Sequence, residues 1–156
     1  MRIAYKVLAY LVATEVVVQA MVIVWFIAGL GKWVEGGGVL DKAAMESEGS
    51  SFPQAVGMMA HINNGFFVIP GLALLLLIIS FFTKVRGAIK WAVVVFVLVI
   101  VQTQLGGLGH DFPLVGALHG LNALALFGVA IYAGRRVRAA APAAVEHEQA
   151  QAATPV

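Results

Sequence analysis

Two histidines, His61 and His119, stand inside separate long apolar runs, and each opens the same short pattern. One stretch reads His61-Ile62-Asn63-Asn64-Gly65 and the other His119-Gly120-Leu121-Asn122-Ala123, so both are H-x-x-N followed by a small residue. An imidazole placed in hydrocarbon costs free energy unless it has a partner, and such residues mark candidate sites. Imidazole is a good ligand for iron. Two of them at matching depth on separate helices have the arrangement that the axial ligands of one heme require, so His61 and His119 are the expected metal ligands. The second ring nitrogen of a ligating histidine usually meets an acceptor that fixes the ring. Asn64 and Asn122, or a main-chain carbonyl one turn away, are the candidates for that role. Gly65 lies one turn from His61, and Gly116 and Ala123 one turn either side of His119. With Gly106, Gly107 and Gly109 they supply small residues that allow close helix approach or leave room for a flat ligand.

Two blander readings compete. The histidines can serve only as hydrogen-bonding links between helices. Alternatively, His61, His110 and His119 can gather around a small metal ion, although His110 beside Asp111 reads better as a solvated residue at the membrane surface. Glu15 and Gln19 form a second polar pair, one turn apart in the first apolar run, with Gln102 and Gln104 at similar or shallower depth in the third. Their plain reading is a hydrogen bond between helices; the functional one is a proton-relay or quinone-contacting site.

The elements that carry these residues follow from composition. Of 156 residues, 61% are hydrophobic and 12% charged, where soluble domains carry about a quarter charged, so the chain reads as a membrane protein. A net charge of +2 gives no reason to expect a nucleic-acid partner. The absence of cysteine excludes disulfides, thiolate metal sites, cysteine-held iron–sulfur clusters and heme attached through C-x-x-C-H. A heme here would be a non-covalent heme b.

Apolar runs at about 5–30, 58–82, 89–108 and 114–133 each reach the roughly 20 residues that cross the hydrocarbon as a helix. Pro70 is expected to kink the second. The first run is too long for a signal peptide's apolar core and is broken by Glu15 and Gln19, so it reads as a retained span. Arg2, Lys6, Lys84, Arg86, Lys90, Arg135, Arg136 and Arg138 all fall on one side of these spans. The positive-inside rule makes that side cytoplasmic, with both termini inside. At 1.5 Å per helical residue, His61 and His119 then lie roughly 5–8 Å below the outer edge of the hydrocarbon. Trp25, Trp33 and Trp91 sit at span ends as interfacial anchors.

The fold expected is an all-α transmembrane four-helix bundle over 1–138, in the plasma membrane. A single sizeable outer loop, 33–57, contains a helical turn or two between Asp41 and Glu48. The short 109–113 link makes an antiparallel hairpin of spans three and four. Residues 139–156, with His147, are expected to be a disordered cytoplasmic tail. Ala28-Gly29-Leu30-Gly31-Lys32 ends span one and Gly106-Gly107-Leu108-Gly109-His110 ends span three. The spans that follow carry H-x-x-N. The chain therefore reads as two pseudo-repeated helical hairpins related by an axis along the membrane normal, which would set His61 opposite His119.

The stretch Gln102-Thr103-Gln104-Leu105-Gly106-Gly107, followed by Ala117-Leu118-His119, resembles the second hairpin of the heme A synthase half-module. That family has two four-helix halves, each with histidines on its second and fourth helices that bind heme from the outer side. The chain also resembles small four-span membrane proteins of high-GC Gram-positive bacteria. The resemblance implies one half standing alone, with His61 and His119 at the heme-ligand positions. Gly57, Met58, Met59 and Ala60 occupy the stretch where a catalytic half carries glutamate, and the family's outer-loop cysteine pair is missing. What carries over is heme binding or electron transfer rather than oxidation of a heme methyl group. The expected partners are the lipid bilayer, heme, and an unidentified redox or membrane-complex partner. The competing class is a cofactor-free structural or accessory subunit; a transporter or channel ranks third, because four spans leave little room for a pathway.

Overall fold

The apolar runs become helices because hydrocarbon offers backbone groups no partner except one another. A computed structural model describes residues 1–46 and 51–137. The expected tail 139–156, Arg138 and His147 lie outside the described residues. Four helical spans are long and apolar enough to cross a membrane: Arg2–Glu35, Pro53–Ser80, Ala88–Leu108 and Pro113–Arg135. They fit a multi-pass membrane protein. We number the α-helices α1 (Arg2–Glu35), α2 (Lys42–Glu46), α3 (Val56–Asn63), α4 (Ile69–Ser80), α5 (Ala88–Leu108) and α6 (Pro113–Arg135).

Span one continues through Lys32 and Trp33 to Glu35, further than its apolar run, and Gly36 ends it. The loop that follows holds the expected short helix, α2, with the Asp41 carboxylate accepting from the Ala44 amide at 2.8 Å. It then folds back on span one. Phe52 lies between Phe26 and Trp33, with ring centres 5.7 and 5.6 Å away.

Span two is the irregular one. It comprises a 3₁₀ turn at Pro53–Ala55, then α3, a π-turn at Asn64–Val68, and α4. Pro70 follows directly after the first residue of α4. A proline lacks the N–H of a regular turn, and its ring crowds the carbonyl four residues back. Here the preceding turn is widened, and the Ile69 amide reaches the Asn64 carbonyl five residues back. The disturbance expected at Pro70 takes the form of one wide turn.

Each span packs on its neighbours in chain order, and span four closes the ring on span one. Spans two and four therefore face each other across one diagonal, and spans one and three across the other. The two halves of the bundle differ in packing. Toward the chain termini lies a closed core of Tyr5, Ala9 and Val12 from span one, Ile69, Ala73 and Leu76 from span two, Ala88, Ala92, Val95 and Val99 from span three, and Leu126, Ala130 and Ala133 from span four. The Tyr5 hydroxyl crosses this core to donate to the Ala88 carbonyl at 3.1 Å. Toward the loops the helices carry small and polar residues instead. Spans three and four touch there through glycine, since a Cβ on Gly109 would sit 2.8 Å from the Gly116 Cα.

Candidate functional site

The polar residues collect in one layer on the loop side of the closed core. His61 and His119 meet across the diagonal, with ring centres 6.1 Å apart and planes inclined by 59°. Both rings are partly buried.

Each ring is held by the main chain of the span before it. His61 Nδ1 donates to the Gln19 carbonyl at 3.2 Å, and His119 Nδ1 donates to the Gln102 carbonyl at 3.0 Å. A carbonyl oxygen only accepts, and its second lone pair is free even when a helical N–H uses the first. Nδ1 must therefore carry the proton in the neutral ring, which leaves the Nε2 lone pair for a ligand. Of the two candidate acceptors, the main-chain carbonyl takes the role, and it comes from a neighbouring span rather than from one turn away.

The asparagines act one step further out. Asn122 Nδ2 donates to the Leu98 carbonyl at 3.0 Å and to Gln102 Oε1 at 2.6 Å. Gln102 Nε2 in turn lies 3.1 Å from His119 Nε2 and donates to it, because Nδ1 holds that ring's proton. Asn64 Nδ2 donates to Glu15 Oε2 at 2.7 Å. Gln19 Nε2 donates to the His61 carbonyl at 3.0 Å. Glu15 thus makes the expected link between helices, with the Asn64 amide of span two as its partner.

The glycines have separate tasks. A Cβ on Gly65 would lie 2.8 Å from Gln19 Nε2, so Gly65 admits the Gln19 amide. Gly116 admits span three, through Gly109. The glycine that borders a ring is Gly106, where a Cβ would meet His119 Cε1 at 3.0 Å and Nδ1 at 3.1 Å. Gly107 and Gly120 face open space.

His110 is exposed in the link between spans three and four. Among the described residues no three His, Cys, Asp or Glu side chains come together as a metal-binding group. The three-histidine ion site is therefore not assembled. Gln104 is exposed on span three and stands apart from the hydrogen-bonded layer.

Searches of family models, of curated proteins and of solved structures return no match to this chain.

Gln19 and Gln102 are the residues whose part in the site sequence reasoning did not assign. Both contribute main-chain oxygens, which any residue type can supply. No signal in residue identity marks that part, although both side chains stood out as polar groups within apolar runs.

The ring separation is one that two imidazoles on a single metal would have. Imidazole–metal bonds are about 2 Å long, and with roughly 1 Å from nitrogen to ring centre, two rings sharing one metal stand roughly 6 Å apart. The separation here is 6.1 Å. The inclination of the planes is no obstacle, since each ring can rotate about its bond to the metal. His119 Nε2 would have to release the Gln102 amide.

Proposed function

We propose that this chain is an integral membrane protein that binds one heme b between His61 and His119, and that it serves electron transfer or heme handling. The observation that carries the reading is the diagonal pair of rings 6.1 Å apart, each with Nδ1 tied to a main-chain carbonyl. Such ties fix the tautomer and aim of a ligating histidine. When bound, heme would supply a one-electron couple, and ligation from both faces leaves no open iron position. The protein's own part is to hold the two rings at ligating distance and to exclude water with the closed core beneath them. The charge pattern supports a plasma-membrane setting with both termini cytoplasmic and the histidine layer toward the outer face. The resemblance to a heme A synthase half supports the same reading.

A two-copy architecture is part of the proposal. Buried residues of spans one and three recur at a separation of 83 (5 to 88, 9 to 92, 12 to 95), and so do Gln19 and Gln102. In spans two and four the histidines and asparagines are 58 apart (61 to 119, 64 to 122), while the buried residues beyond are 57 apart (69 to 126, 73 to 130, 76 to 133). The π-turn lies between those two sets. A π-turn accommodates one extra residue in a helix, which accounts for the change by one.

The test is spectroscopic. Purified in detergent from heme-replete cells, the protein is expected to be red, with a Soret band that shifts on reduction and sharp α and β bands. A colourless preparation overturns the reading. It would favour a cofactor-free accessory subunit, the reading supported by the Gln102 amide already seated on His119 Nε2.

A further inference from the structure

Two buried side-chain oxygens in the polar layer have no donor: Gln19 Oε1 and Asn64 Oδ1. Turning the amides over does not cure this. Gln19 Nε2 donates to the His61 carbonyl and Asn64 Nδ2 to the Glu15 carboxyl. Reversing Gln19 would set oxygen against oxygen, and reversing Asn64 would do the same against an ionised Glu15. The vacant lone pairs thus follow from bonds made by the same two amides, and each leaves a buried acceptor unsatisfied at a cost of about 1–3 kcal/mol.

A carboxyl accompanies them. Glu15 precedes Gln19 by one turn on span one, and Asn64 follows His61 by one turn on the antiparallel span two. The paired contacts Gln19–His61 and Glu15–Asn64 therefore form successive rungs between these spans. No cationic side chain occupies this level of any span. Span one has no Lys or Arg between Lys6 and Lys32, span two has none, span three has none beyond Lys90, and span four has none before Arg135. The titratable groups nearest this level are His61 and His119.

We infer that Glu15, Gln19 and Asn64 form a site for a single sodium ion between spans one and two. Carboxylate and amide carbonyl oxygens are hard donors, suited to hard cations rather than to transition metals. One carboxylate balances one positive charge, whereas a divalent ion would leave an uncompensated charge in low dielectric. Size argues in the same direction. The vacant oxygens are closed to solvent, and the space beside Gly65 is filled by the Gln19 amide. That leaves no room for an aromatic ligand such as a quinol. The second hairpin lacks this set, because Leu98 stands one turn before Gln102 and supplies only its main-chain oxygen to Asn122. The inference does not depend on heme.

The test uses the full chain in detergent, in choline chloride at constant ionic strength, with thermal unfolding followed by circular dichroism as sodium chloride replaces choline. The expected result is a saturable rise of several degrees in Tm with sodium. Glu15→Gln should abolish it, Asn64→Leu should weaken the apparent affinity at least ~10-fold, and Gln104→Leu, an exposed amide, should leave it intact. An absent sodium response in the wild type overturns the inference. So does a response that persists in Glu15→Gln, or one that follows pH between 6 and 8 with no dependence on sodium, which would make the occupant a proton. Should Glu15→Gln fail to fold, Asn64→Leu decides, since an unchanged affinity there is equally fatal. A colourless preparation that still responds to sodium separates this site from the heme reading.

Discussion

In the first hairpin His61 leans on the Gln19 main chain, the Gln19 amide returns to the His61 main chain, and the supporting asparagine reaches a carboxyl, Glu15. In the second hairpin His119 leans on the Gln102 main chain, but the Gln102 amide turns onto the ring itself, and the supporting asparagine bonds a glutamine and a main-chain carbonyl. The main-chain tie is common to both, and the side chains behind it differ. The first hairpin carries a carboxyl and two vacant buried acceptors; the second has no carboxyl at this level, and among the described residues none of its buried side-chain acceptors is vacant. A main-chain oxygen can hold a ring whatever residue supplies it, so the side chains around the tie are free to take different tasks.

That comparison is most sharply broken at the rings. His61→Ala and His119→Ala are each expected to eliminate the heme spectrum, and retention in either variant would mean that the two hairpins do not share one ligand. The closed core gives the next largest effect. Leu76→Ala and Leu126→Ala, one in each diagonal span, should each destabilise the bundle by about 2–5 kcal/mol in chemical unfolding. Heme band positions should stay unchanged, because these residues lie in the other half of the bundle. Gly106→Ala pushes on the His119 ring and should lower heme occupancy several-fold in titration with hemin. Gly107→Ala, facing open space, should not. The smallest effect separates the two supporting asparagines. Asn122→Leu frees the Gln102 amide and should cost about 1 kcal/mol of stability, in the range of hydrogen bonds between membrane helices. Glu15→Leu, which copies Leu98 into the first hairpin, should leave heme binding within about twofold while changing the response to sodium.

Much of this molecule was legible in its residues because hydrocarbon imposes a narrow choice. Four runs of apolar residues leave helices as the only spanning structure here, and His61 and His119 stood out against that background. The ends of the elements were less legible. Trp33 read as the start of the outer loop, yet the helix continues through it to Glu35, since nothing before Gly36 interrupts the hydrogen-bond ladder. The acceptors for the rings were illegible in principle, because carbonyl groups leave no mark on residue identity. The link from Glu15 to an amide on another span was legible, but which amide was not. Depth along a span can be counted, but the choice between Asn64 and a glutamine of span three depends on which helices are neighbours at that level.

The widened turn before Pro70 has a consequence for how span two is phased. Successive residues of a regular helix are about 100° apart around the axis, so one additional residue rotates everything before it by roughly that angle relative to everything after it. His61 and Asn64 look inward on one side of the turn, and Ile69, Ala73 and Leu76 look inward on the other. A span two of this length with strictly regular winding would satisfy one of those sets and swing the other toward lipid. The turn takes up the one residue by which span two exceeds span four between these sets, so removing one residue from 65–68 should restore regular winding with the ligand-bearing and packing segments both still facing inward.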